Sequence, residues 1–348
     1  MWRDSPDLSH LQRLVVRGRY DKSAWRVEQL ESEYVTTLQT RVLGRTGLPV
    51  TPLCIGTSAI GSMPGIYGYD VAEQQAIETL RRVFDGPITF VDTSNGYGDG
   101  ESERRIGKAL RERGGLPDGF LLATKVDPDA TGDFSGPRVR ASVDESRDRL
   151  GLDHLPLVYL HDPERIRYDD AMAPGGPVEV MQELKADGVI GHLGVAGGPI
   201  DMMRRFVATG VFEVAITHNR YTLLDRSADS LLDDCVRDGV ALVNAAPFGG
   251  GMLAKGPQAQ PNYAYRSAPS VSQARATEMQ RICRRYGVPL AAAALQFSMR
   301  DPRVTSTIVG ITRPERVEHT LDLAAHPIPD ELWDDVLPLA APEETWLR

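Results

Sequence analysis

Three cysteines in 348 residues, Cys54, Cys235 and Cys283, are too few, too widely spaced and odd in number for a disulfide framework or a cysteine-ligated zinc site. Their scarcity fits a reducing compartment, and a cytoplasmic location is expected. Long apolar runs are missing as well. No segment reaches the about eighteen uninterrupted apolar residues of a membrane span, and Arg3, Asp4 and Asp7 interrupt the start of the chain. Positive charge is in deficit: 39 Lys and Arg against 48 Asp and Glu leave a net charge of −9 with no dense basic patch, which argues against a nucleic-acid partner. Two phosphate-binding signatures are also absent. G-x-G-x-x-G does not follow the first predicted strand, where the run is IGTSAIGSMPG, and Gly96-Tyr97-Gly98-Asp99-Gly100 is off that spacing. Gly107-Lys108-Ala109 lacks the hydroxyl residue that a P-loop places after its lysine.

What is present is a rhythm. Apolar runs bounded by Gly, Pro, Asp or Asn occur at Leu53 to Gly56, Ile88 to Asp92, Phe120 to Lys125, Leu155 to His161, Val189 to Val195, Phe212 to Thr217, Ala241 to Ala246 and Val304 to Gly310. Amphipathic segments alternate with them, the last running from Arg313 to Ala325. Near-continuous apolar strands separated by helices predict a parallel sheet covered on its outer side. Eight such units predict an α/β fold with a single (β/α)8 TIM barrel rather than two doubly wound domains. The barrel is expected over residues 41–348. It follows an N-terminal extension of residues 1–40, read as an accessory arm or flap, and a hairpin signalled by Gly44-Arg45-Thr46-Gly47.

In a barrel the C-terminal ends of different strands converge on one mouth. Reading those ends yields Asp92 and Tyr97 after the second strand (FVDTSNGYG), Lys125 at the end of the third (LLATKVD) and His161 at the end of the fourth (LVYLHDPE). Taken singly, a strand-end lysine is a solvated charge and a strand-end histidine a packing residue. Together they have a chemical logic. Lys125, kept protonated by Asp92, is expected to depress the Tyr97 phenol toward the range of an acid/base catalyst, while His161 donates a hydrogen bond to the same substrate oxygen. Nothing in the set is a metal cage or a good nucleophile. The chemistry expected is therefore proton transfer at an oxygen coupled to electron movement.

These motifs resemble the aldo-keto reductase superfamily from about Arg41 to Ala325, and GHLGVAGGP, NRYTLLDR and AAPFGGGMLA resemble its D-threo-aldose 1-dehydrogenase branch, which includes L-fucose and L-galactose dehydrogenases. The resemblance implies a barrel that binds NAD or NADP without a Rossmann motif and transfers hydride at a carbonyl or hemiacetal carbon. Where the family places a Ser-Asn pair on the nicotinamide amide, this chain has Ala196-Gly197; where it places Gln, His218 and Asn219. The stacking aromatic is replaced by Ala245, which leaves Phe248 or Tyr221 to take its part. Gly310, Arg313 and Arg316 match the segment that grips the adenosine end, and a helix start suits its phosphates. Gly310 and Ile311 stand where NADP-preferring members carry Lys and Ser, which tilts the expectation to NAD.

Long loops, 61–69, 162–176 and 247–269, are expected to set substrate choice. They bring Tyr67, Tyr69, Tyr168, Tyr263 and Tyr265, with Asp162, Arg165 and Asn262 as polar contacts, and suit a polyhydroxylated ring. Of these, Tyr67, Tyr69 and Asp162 are expected to contact the substrate. The reaction this implies is oxidation of an aldose C1 to the lactone, or its reverse on a carbonyl. A cofactor-sensing regulatory subunit is the alternative, and a lyase forming a Schiff base on Lys125 is disfavoured because Asp92 keeps that lysine charged. The partner expected is a small molecule, with no membrane, and either a monomer or a homo-oligomer fits.

Overall fold

The computed structural model describes residues 38–347, so the predicted extension of residues 1–40 lies outside the described residues apart from its last three. A short antiparallel hairpin comes first, β1 (Arg41–Val42) with β2 (Pro49–Val50), as the glycine signal predicts. Seven strands follow around the barrel: β3 (Leu53–Gly56), β4 (Phe90–Asp92), β5 (Leu121–Val126), β6 (Leu155–His161), β7 (Ile190–Gly197), β8 (Val214–His218) and β9 (Ala241–Ala245). A second small hairpin, β10 (Asn262–Tyr263) with β11 (Arg266–Ser267), rises from the loop after β9, and β12 (Val304–Gly310) closes the barrel between β9 and β3. All eight barrel pairings are parallel. Three of the expected strands match in both bounds and the other five lie within two residues. The second hairpin and a closing helix, Asp330–Val336, stand outside the expected pattern of eight units.

Side chains along a strand alternate between two faces, and here each face has its own core. Cys54, Phe90, Leu121, Ala123, Leu157, Tyr159, Val214, Ile216, Val243 and Ile308 form one buried cluster inside the barrel. Their neighbours in sequence, such as Leu53, Val91, Leu122, Val158 and Leu242, join the larger cluster beneath the helices. Gly194 marks the tightest point within, because a Cβ there would lie 2.2 Å from the Tyr159 ring. The outer helices follow from local chemistry. Glu101–Arg113 carries Glu101 and Glu103 in its first turn and Arg111 and Arg113 in its last, buries Ile106, Ala109 and Leu110, and stops at Gly114 with φ of 91°.

Candidate active site

Strand parity carries the candidate residues to one place. Asp92 lies two residues beyond Phe90, Lys125 four beyond Leu121, and His161 and His218 four beyond Leu157 and Val214, so all four continue the inward rows to the C-terminal mouth. Tyr97 arrives from the loop after β4. That loop packs closely against the one after β3: a Cβ on Gly98, whose φ is 61°, would lie 2.1 Å from the Gly61 carbonyl oxygen. Backbone strain gathers at this end too. Asp162, Asn219 and Ala246, each directly following a barrel strand, have φ of 43°, 59° and 56°.

The structure brings the four expected catalytic residues together. Lys125 Nζ lies 2.7 Å from Asp92 Oδ2 and 3.2 Å from the Tyr97 hydroxyl, and also donates to the Thr93 carbonyl. Three acceptors use all three N–H bonds of an ammonium and leave no lone pair for a Schiff base. The Asp92 and Lys125 side chains are only 4% and 3% exposed. Burial pushes Asp92 upward against the pull of Lys125, and its Oδ1 has no hydrogen-bond partner. The His161 ring meets the Tyr97 ring edge-on, 5.7 Å between centroids.

One expectation is overturned. The Tyr97 phenol is raised well above its ordinary value, not depressed, because burial first, and then Asp92, Tyr67, Asp127 and Asp162, disfavour the phenolate. The resting group is therefore a neutral phenol.

Asp127 is the residue the sequence reading missed. It accepts from His161 Nδ1 at 2.7 Å and from the Gly96 N–H at 2.8 Å, and Ser94 also donates to it. Burial works to raise this carboxyl, but His161, Ser94 and Gly96 together hold it well below the usual range. The imidazole is conversely pulled down by burial and carried above its ordinary value by Asp127. Parity was the available signal, since Asp127 is two residues past Lys125 on the same inward row. Behind it, Arg138 donates to the Asp127 carbonyl and to Asn95 Oδ1, 3.1 Å each, and pairs with Glu145 at 2.6 Å, fixing the loop that carries Ser94 to Tyr97.

The other expected residues divide. Ala196 sits buried at the mouth end of β7, next to His161 in register. His218 is driven down to about 4 by burial, with Arg220, His161 and Lys125 adding to it against Asp162, and so is neutral. Asn219 is buried with Oδ1 lacking a partner, an orphaned polar atom of the kind a nicotinamide amide would satisfy. Arg313 and Arg316 lie at the surface beside the start of helix Glu315–Ala325 and form no ion pair with a described residue; Gly310 is exposed, with open space where a Cβ would stand. Donors, a helix start and open backbone thus fit a dinucleotide. Tyr221 is removed from the stacking role: it packs on Phe297 at 5.0 Å and its hydroxyl is held by Asp301, which leaves Phe248.

Tyr67, Tyr69 and Tyr265 cluster at the rim, with centroids 6.0 Å and 5.9 Å from Tyr67. Tyr168 and Tyr263 do not join them. The first stacks on Phe206 and Arg205, and the second anchors the loop after β8 through Asn219 O at 2.7 Å. Asp162 reaches within 3.6 Å of His161 Nε2. Asp162, Glu164 and His218, where no metal set was expected, bring one donor atom each within 4.8 Å of one another. Glu164 Oε1 also accepts from the Gly198 N–H at 3.4 Å.

Comparison with known proteins agrees with this fold. The model of the aldo/keto reductase family matches residues 52–339. D-threo-aldose 1-dehydrogenase of a Pseudomonas species is 31% identical over 317 residues, covering 83% of this chain and 94% of the relative. Pyridoxal 4-dehydrogenase of Microbacterium luteolum is 31% identical over 333 residues, covering 85% and 95%, and L-galactose dehydrogenase of Arabidopsis thaliana is 31% identical over 291, covering 82% and 88%. Among solved structures, the holo form of aldo-keto reductase AKR11C1 from Bacillus halodurans superposes with a TM-score of 0.69 at 23% identity, covering 88% of this chain and 99% of that one, and so supports the fold. The names of these relatives favour an enzyme over a regulatory subunit. Among the described residues no helix is long and apolar enough to cross a membrane. A closed eight-stranded barrel with a buried acid/base constellation at its mouth, matched along most of its length, makes this chain a member of the aldo/keto reductase family and an NAD(P)-dependent oxidoreductase.

Proposed function

We propose that the enzyme interconverts a sugar hemiacetal and its lactone, or reduces the corresponding carbonyl, with Tyr97 moving the proton. The observation that carries this reading is the Lys125 ammonium shared between Asp92 and the Tyr97 hydroxyl, beside His161. A bound nicotinamide supplies or accepts the hydride. In reduction, the neutral Tyr97 phenol gives its proton to the substrate oxygen, and the phenolate left behind is stabilised by Lys125 Nζ, 3.2 Å away. His161 directs a hydrogen bond at the same oxygen, which favours the charge that develops there. In oxidation the roles reverse: Tyr97 must first lose its proton, so oxidation is expected to gain with rising pH.

Substrate choice is assigned to the Tyr67, Tyr69 and Tyr265 rim, whose faces suit the C–H surface of a sugar ring, and to Asp162 as the partner of a hydroxyl. The aldose, L-galactose and pyridoxal named for the relatives all carry an aldehyde carbon with hydroxyl groups nearby, which supports this class. For the cofactor we favour NAD over NADP. Ile311 is buried and apolar and offers nothing to a 2′-phosphate, although Arg313 and Arg316 remain at the surface. Three buried thiols, all free, support a reducing cytoplasm. A panel of aldoses and pyridoxal, followed at the nicotinamide absorbance with each cofactor, tests the reading. Aldose-dependent turnover with higher kcat/KM for NAD is expected; turnover confined to simple aldehydes would remove the sugar assignment.

A further inference from the structure

The carboxylate beneath His161 is more elaborately built than a strand-end histidine requires. Asp127 is 4% exposed and is gripped from three directions: the His161 ring at 2.7 Å, the Gly96 N–H at 2.8 Å, and the Ser94 hydroxyl. Gly96 is shaped around it, since a Cβ there would lie 3.0 Å from Asp127 Cγ and 3.1 Å from Oδ2. Its own backbone is tied down by Arg138. An acceptor-only carboxylate against Nδ1 requires a proton on Nδ1, and so leaves Nε2 to face the mouth, where the Asp162 carboxylate stands 3.6 Å away.

We propose that Asp127 is a positioning residue that keeps His161 doubly protonated, so that the mouth offers the substrate oxygen a cationic Nε2–H donor beside the Tyr97 hydroxyl. The inference rests on the reading of this mouth as the site of carbonyl reduction. In the proton balance, the oxygen receives its proton from Tyr97, while His161 keeps its own and lends a full positive charge to the oxygen as negative charge develops. The groups facing His161 are Asp127 and Asp162, which favour the imidazolium, and Lys125 and a neutral His218, with Tyr97 packed on its ring. Replacing Asp127 removes the principal favourable partner while burial and Lys125 remain. The midpoint of His161 must then fall.

The test is a ring-nitrogen NMR titration of the ligand-free protein, with His161 assigned by difference against His161→Gln. In the parent protein the midpoint is expected above the ordinary imidazole value of about 6.5. In Asp127→Asn it is expected below that value. The alkaline limb of kcat for reduction is expected to move down in step, with KM little changed. Should Asp127→Asn not fold, Gly96→Ala presses on the same carboxylate without removing it, and a smaller fall in the same direction is expected. An unchanged midpoint in these variants, or a kcat lowered by one factor at every pH with the limb unmoved, would overturn the proposal. The titration needs neither substrate nor cofactor, so its outcome stands apart from the aldose panel: a failed panel with a shifted midpoint removes the function and leaves the pair.

Discussion

At the end of the barrel where the strands begin, the Arg41–Val50 hairpin lies across the opening and buries Leu43 and Val50 in the interior cluster. Arg41 donates to the carbonyls of Val304 and Met299, and Arg45 to those of Gly210 and Phe212, at 2.6 to 3.0 Å. At the opposite end, charged side chains face one another as well as backbone: Lys125 with Asp92, and His161 with Asp127. Asp92 Oδ1 and Asn219 Oδ1 lack partners, and three non-glycine residues directly after strands hold left-handed backbone. Arg41 is half-buried and Arg45 exposed, whereas Asp92, Lys125 and Asp127 are buried, so the ends differ in how deeply charge is buried and in how fully it is satisfied. The closed end uses polar groups to seal apolar contact, whereas the open end leaves buried Asp92 and Asn219 oxygens unpaired and holds left-handed backbone, at a cost the rest of the fold must offset.

Breaking the open end should separate chemistry from stability. Lys125→Met strands Asp92 as a buried, unpaired carboxylate and is expected to destabilise the protein by about 3–5 kcal/mol. It should also lower kcat by about 10²–10⁴-fold. Asp92→Asn combined with Lys125→Met should regain much of the stability in denaturant titration while turnover stays lost. Recovery of both together would mean the pair is structural.

Breaking the closed end should do the reverse. Leu43→Ala removes a fully buried side chain and is expected to cost about 2–5 kcal/mol, with kcat and KM unchanged once the protein is folded. A parallel loss of kcat would show that the two ends are mechanically coupled. Smaller still is the effect at the cofactor rim, where Arg313→Ala and Arg316→Ala together should raise the cofactor Kd about 10-fold or more in fluorescence titration, with kcat at saturation little altered.

The mildest test is in pH. His218 is lowered to about 4 when folded, so between about 6.5 and that value the unfolded chain binds a proton the folded one does not. Stability must therefore fall as pH drops through this window. Calorimetry of His218→Gln should show a flatter acid limb than the parent, and an identical limb would mean another group governs it.

How much of this was legible beforehand follows the same division. Strand ends could be read because an apolar run bounded by Gly or Asp is a local signal: β3, β6 and β12 fall where Leu53–Gly56, Leu155–His161 and Val304–Gly310 placed them. The quartet of Asp92, Tyr97, Lys125 and His161 follows from the ends of the second, third and fourth apolar runs and the loop after the second. The state of the Tyr97 phenol is not legible in sequence because the burial that chiefly raises it exists only in the folded mouth, where Asp92, Tyr67, Asp127 and Asp162, from separate strand ends and loops, add to it. Loop tyrosines were the least legible. Tyr168 and Tyr221 look like Tyr67 in sequence, and only packing against Phe206 and Phe297 tells them apart.

The central claim is that one phenol at this mouth moves the proton that accompanies the hydride. Tyr97→Phe keeps the ring and removes only the hydroxyl held by Lys125. Measured at saturating aldose and cofactor, its kcat is expected to fall by about 10²–10⁴-fold while fluorescence titration reports cofactor binding close to the parent's. Turnover near the parent's, with cofactor bound, would contradict the account.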